Sequence, residues 1–258
     1  MIRPPAVAGS FYPADPTGIE HALDSAFADA IAAPEVESAR LRAIVAPHAG
    51  WTYSGAIAAS AYSLVPPDTP RVVLLGPSHF VAFEGMAVSA ADGFATPVGD
   101  VVVDANLREV IRELDQVVVS DVPHQREHSL EVHLPFLQRM VPGATLLPVA
   151  VGFVGVSPVA ALLQAVADDA LIIISTDLSH YLAWEQARAR DERTAAAVLA
   201  LDGDAIDDRD ACGARGLRGL LAAARTRAWS ARLLDLRNSG DTAGDRSRVV
   251  GYGAFAFA

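Results

Sequence analysis

The chain has 258 residues, 52% of them hydrophobic and 20% charged, which excludes global disorder and suffices for one sizeable core. Its net charge of -11 and pI near 5.0 argue against a nucleic-acid partner, because phosphate binding needs a basic surface. All 20 basic residues are arginine, so Schiff-base lysine chemistry is excluded too.

Taken in chain order, the N-terminal "MIRPPAVAGSFYP" lacks the apolar core of a secretory signal, and the single cysteine, Cys212, has no intramolecular partner; both point to a cytoplasmic protein. A helix is expected over 15–32. An apolar run over 42–46 predicts a strand that breaks at Pro47 and reaches His48, and a helix follows over 54–64. The run at 71–75 breaks at Gly76 and Pro77 and reaches His79. Strands near 86–89 and 117–120 flank a helix over 104–114. A helix over 128–140 carries the cluster "HQREHSLEVH". There His128 and Glu131 are three apart and Glu127 and Glu131 four apart, on one side of a helix, with His133 turned away; Pro135 interrupts that helix and blurs its register.

The uncharged stretch 141–167 imitates a membrane span. It contains Pro148, Gly152, Gly155, Ser157 and Pro158, so it reads as a strand over 145–151 followed by a Ser-capped, Pro-started helix over 158–168, and no membrane partner is expected. The run at 170–175 breaks into Thr176 and Asp177 and reaches His180. A helix over 184–201 leads to an acidic surface loop ending at Cys212, and then come a helix over 214–226 and strands over 231–236 and 249–257. The last of these alternates small and aromatic residues and should face two environments. With no repeat or long linker, the expectation is one α/β domain over 1–258 with a mostly parallel or mixed central sheet flanked by helices.

In open α/β sheets ligands sit beyond the carboxyl ends of parallel strands, where His48, His79 and the Asp177/His180 pair would emerge together. Two neutral imidazoles from separate loops are a usual start to a transition-metal site. The third ligand is open among His180, Asp177, Glu131, the histidine cluster and Cys212. Cys212 precedes a helix, which favours thiolate, although the residues by themselves favour a buried, inert cysteine.

The segments "AGSFYP" (8–13), "APHAGWTYSG" (46–55), "GPSHF" (76–80), "EHSLEVHLPFL" (127–137), "STDLSHY" (175–181) and "CGARGLRGLL" (212–221), in that order, closely resemble the Memo family, whose prokaryotic members are called AmmeMemoRadiSam system protein B. The resemblance implies the fold of class III extradiol ring-cleavage dioxygenases. It implies metal-facing positions at His48, His79 and Cys212 and a general-base position at His180; beside these, Asp177, Ser78, Tyr53, His128, Glu131 and His133 are candidates to line the pocket or to support the ligands. A His2Cys set suits Fe(II) first, and Cu(I) or Zn(II) next, and a thiolate in place of the dioxygenases' carboxylate makes ring cleavage the lesser expectation. The leading function is a metal-dependent redox protein. The alternatives are a non-catalytic module for a small aromatic or peptide ligand, an active extradiol-type dioxygenase, and a partner of a radical SAM protein.

Overall fold

The computed structural model describes residues 1–31 and 41–258. In chain order its elements are β1 (Ile2–Arg3), α1 (Pro16–Ala28), β2 (Ala43–Ala46), α2 (Trp51–Tyr62), β3 (Arg71–Pro77), β4 (Met86–Val88), β5 (Gly93–Thr96), β6 (Gly99–Val102), α3 (Ala105–Ile111), β7 (Val117–Val119), α4 (His128–Glu131), α5 (Leu134–Met140), β8 (Thr145–Val151), α6 (Val156–Val166), β9 (Leu171–Ser175), β10 (His180–Leu182), α7 (Trp184–Leu199), α8 (Ala214–Arg227), β11 (Ala231–Asn238), α9 (Ser239–Thr242) and β12 (Val249–Phe257). The last residue of the helix expected over 15–32 lies outside the described residues.

Four strands, in the order β2, β9, β3, β8, run parallel at the centre of a nine-stranded mixed sheet. β12 joins β2 antiparallel and carries β10 and β11, while β4 joins β8 antiparallel and carries β7. The central strands are buried on both faces, which is why "AIVA" and "LIIIS" are continuously apolar. Period-two alternation still sorts them: Ala43 and Val45 face one core with residues of α3, α6, α7 and α8, whereas Ile44 and Ala46 face a second with residues of α1, α2 and α5. β12 divides likewise, Phe255 and Phe257 to the first core and Tyr252, Ala254 and Ala256 to the second. The result is one α/β domain with helices on both faces of the sheet.

The helix expected over 128–140 is instead two, parted at Val132 and His133. Pro135 explains the break, because its ring conflicts with the Glu131 carbonyl and it has no N–H to offer. β1, β5 and β6, which pair in a separate small sheet, were not legible as strands, and neither was three-residue β10. No described helix is long and apolar enough to cross a membrane.

α6 and α8 pack closely because Gly219 lets them. A Cβ built on Gly219 would fall 2.2 Å from Val159 Cγ1. Gly219→Ala is therefore expected to lower stability by about 1–3 kcal/mol through overpacking, although alanine is the better helix former. Urea unfolding should record a lower midpoint with an unchanged m-value.

Candidate metal centre

Parallel register brings the strand ends together. Ala46 pairs with Ser175 and Leu75 with Ile174, so the loops after β2, β3 and β9 leave the same edge side by side. His48 and His79 ring centroids lie 5.1 Å apart. The first residue of α4, His128, adds a third ring, stacked on His79 at 4.5 Å and 5.4 Å from His48. His48, His79 and His128 each offer a ring nitrogen, and these lie within 4.8 Å of one another.

The hydrogen bonds behind the rings decide which nitrogens are free. Ser175 Oγ has one proton and three close partners: the Ser129 carbonyl at 2.6 Å, His48 Nδ1 at 2.6 Å and His133 Nε2 at 2.9 Å. The carbonyl can only accept, so the hydroxyl donates there and both imidazoles donate to Ser175. His48 therefore carries its proton on Nδ1 and leaves Nε2 as a bare lone pair. By the same reasoning His133 Nδ1 accepts from the Tyr62 hydroxyl at 3.0 Å.

Glu127 does the corresponding work for His79. Its Oε1 accepts from His79 Nδ1 at 2.8 Å and from the Ser129 amide at 2.9 Å, and its Oε2 accepts from the His79 amide at 2.6 Å. Burial works to raise the Glu127 pKa, but the hydrogen bonds and charge of His79 outweigh it and hold the carboxyl near about 2. The carboxylate fixes a proton on His79 Nδ1, so the neutral tautomer of this ring carries its lone pair on Nε2. His128 Nδ1 is buried and 3.4 Å from Glu127 Oε1 without hydrogen-bonding geometry, so it has no partner among the described residues.

Burial, and secondarily the neighbouring imidazoles, push His48 well below the ordinary histidine range; the same causes bring His128 to about 4. His48 and His128 are thus neutral at pH 7, the form that binds metal. Cys212 Sγ lies 3.3 Å from His48 Nε2, outside the histidine trio but adjoining it. The helix start was expected to ease ionisation of this thiol. Burial instead pushes its pKa up, and the Asp177 carboxylate adds to the effect. Without a bound cation the sulfur is a thiol.

The other expected pocket residues divide. Asp177 Oδ1 accepts from the His48 amide at 2.8 Å and the Ala49 amide at 3.3 Å and so fixes the loop's backbone, while its Oδ2 lies 3.9 Å from His48 Nε2; burial raises it to about 6 against those bonds. His180, tied through Nδ1 to the Leu178 carbonyl at 2.7 Å, is near enough to act electrostatically on His48 and Asp177. Glu131 is not at the pocket: it pairs with Arg3 and accepts from Tyr12 Oη and the Ala6 and Val7 amides, anchoring the N-terminal segment. His133 sits behind Ser175, and Ser78 Oγ caps its own turn by donating to the Val81 carbonyl at 2.8 Å. Tyr53 is 43% exposed and lines a separate cavity with Trp51 and Phe11.

Glu127 and Ser175 are the functional residues that sequence reasoning passed over. Helical spacing groups Glu127 with Glu131 and gives no sign of His79; Glu127 also caps the start of α4 through the Ser129 amide. Ser175 was read only as a strand end, and its role exists only once β9, α4 and the loop after β2 are assembled.

A family model described as Memo-like protein matches residues 3–256. The chain is 35% identical to a MEMO1 family protein of Methanothermobacter thermautotrophicus, covering 98% of this chain and 99% of that one. It is 36% identical to a MEMO1 family protein of Aquifex aeolicus, covering 97% of each. Among solved structures, an uncharacterized protein of Escherichia coli K12 superposes with a TM-score of 0.51 at 12% identity, over 83% of this chain and 99% of that one, a likeness of fold alone.

Proposed function

The chain belongs to the Memo-like protein family, and from that premise we propose that it is a metal-binding protein whose metal is held by His48 and His79, with Cys212 and His128 supplying further donors and His180 handling protons. The observation that carries this reading is the pair of Nδ1 atoms held by Ser175 and Glu127, which leaves Nε2 as the donor on two rings that belong to a cluster whose ligand atoms lie within 4.8 Å of one another. Metal-bound histidines ordinarily have such a carboxylate or hydroxyl partner behind them.

Mixed nitrogen and sulfur donors suit Fe(II) or Cu(I), with Zn(II) as a redox-silent third choice. A bound iron or copper ion would supply one-electron chemistry toward dioxygen or an organic ligand. The protein's own part is to keep the imidazoles neutral, to hold the Cys212 proton until a cation replaces it, and to keep His180, fixed through Nδ1 on the Leu178 carbonyl, near His48 and Asp177. A redox function follows more naturally from a sulfur donor than catechol cleavage does, because a thiolate near dioxygen is itself oxidisable.

Anaerobic titration with Fe(II) and with Cu(I), followed by metal analysis, tests the reading. Wild type should retain one ion per chain, and His79→Ala should lose it. Cys212→Ser should weaken Cu(I) more than Fe(II), whereas His128→Asn should weaken both alike. Full occupancy in a variant lacking both His48 and His79 would overturn the assignment.

A further inference from the structure

A cavity of about 360 Å³ opens beside His79 and Cys212, and its walls have two unlike poles. One pole is apolar, with Phe80 and Phe83 on it. The other is the start of α8, where Arg215 and Gly216 line the wall. The Arg215 guanidinium is held over the Phe153 ring, with Cζ 4.6 Å from the centroid, so it is already oriented. Its Nη2 donates to Asp208, whose side chain is 60% exposed; its Nε and Nη1 have no hydrogen-bond partner among the described residues. Such an exposed ion pair is weak and readily exchanged. The first bond of the helical ladder runs from the Leu217 amide to the Gly213 carbonyl, so the Gly216 amide lies before it and points with the positive end of α8.

We propose that this cavity binds a small, flat, apolar molecule bearing one carboxylate, with the carboxylate on Arg215 and the apolar body against Phe80 and Phe83. The volume lies at the small end of the range that takes small-molecule ligands, which suits a compact one. Once Asp208 is exchanged from Nη2, the guanidinium fork suits a carboxylate's two oxygens better than any neutral group. The chain's charge of -11 repels anions in general, so a cation fixed inside an aromatic cavity selects for anionic ligands at this one place. The inference names the ligand class of the proposed metal protein's pocket, and rests on that reading for its relation to the metal; the binding itself requires only the cavity.

The test uses the full chain stripped of metal with a chelator, titrated calorimetrically with benzoate and with benzamide as its neutral counterpart. Benzoate should saturate and bind on the order of tenfold more tightly than benzamide. Arg215→Gln should erase that preference and leave benzamide binding unchanged. Asp208→Asn, which removes the competing carboxylate, should tighten benzoate roughly threefold, a gain that a misfolded variant cannot produce. Equal affinities for the two probes, no saturation by either, or a preference intact in Arg215→Gln would each overturn the proposal. If the preference vanishes in His79→Ala and survives in Arg215→Gln, the carboxylate goes to the imidazoles; the proposal then fails while the metal reading stands. Persistent benzoate preference in a protein that takes up no metal would have the opposite meaning.

Discussion

Ser175→Ala is expected to lower the affinity of the proposed metal site by about 10- to 100-fold and to reduce unfolding free energy by about 3 kcal/mol. The substitution removes one oxygen and leaves three buried groups without their partner: the His48 Nδ1 proton, the His133 Nε2 proton and the Ser129 carbonyl. Each orphaned buried group costs about 1–3 kcal/mol, and relaxation and entry of water recover part of it. The functional loss has a different origin. Without an acceptor behind Nδ1, His48 has no reason to keep its proton there, and any molecule protonated on Nε2 presents a hydrogen where a lone pair is needed. Metal competition titrations and urea unfolding on the same samples separate the two effects. Ser60→Ala is the control, because Ser60 is equally buried and bonded to the Ala56 carbonyl and Asp235, yet stands away from the histidines. It should lose stability and keep metal affinity. If Ser175→Ala binds metal within twofold of wild type, Ser175 only fills space and the argument from tautomers fails.

The convergence of His48 and His79 was readable because it depends on one regularity: apolar runs that are buried on both faces are parallel strands, and parallel strands empty their loops at one edge. β2, β3 and β9 are such runs. What surrounds the imidazoles was not readable, because it depends on which loop lies across the edge. Glu127 meets His79 across 48 positions and Ser175 meets His48 across 127, distances over which no periodicity carries information. The place of His128 was blurred for a local reason, since Pro135 ends α4 after a single turn and so frees that turn to tilt toward the strand ends. Glu131, one turn from His128, was grouped with it by helical spacing and instead serves Arg3 and Tyr12. Helical spacing says which residues share a face, and nothing about which neighbour that face meets. The Cys212 thiol failed in another way: a helix start and a carboxylate act on it in opposite directions, and the buried position close to Asp177 is visible only in three dimensions.

Stability of the metal-free protein should fall steeply as pH drops from about 6.5 to 4. Burial depresses four imidazoles: His124 and His128 to about 4, His133 to about 3, and His48 well below the ordinary value of 6.5. A group whose folded pKa is depressed contributes stability that is present above its unfolded pKa and lost below it. Near pH 5 the unfolded chain holds four protons on these histidines that the folded chain does not. Two carboxylates act with the opposite sign, since burial raises Asp177 and Asp191 to about 6 and the folded chain keeps their protons at pH 5 while the unfolded chain has released them. Four less two leaves the unfolded state ahead by about two protons, a slope of about 3 kcal/mol per pH unit. Glu127, held near about 2, adds its own loss only below the ordinary carboxylate range. Urea unfolding in the presence of a chelator at pH 7, 6, 5 and 4 measures the slope directly. His124→Gln, which keeps an N–H for the Ala87 carbonyl now 3.1 Å from His124 Nε2 and lies apart from the His48 cluster, should flatten the slope by about 1.4 kcal/mol per pH unit. A stability that stays level between pH 6.5 and 4.5 would mean that the buried imidazoles take up protons in the folded state. The neutral rings on which the metal proposal depends would then be absent below pH 6.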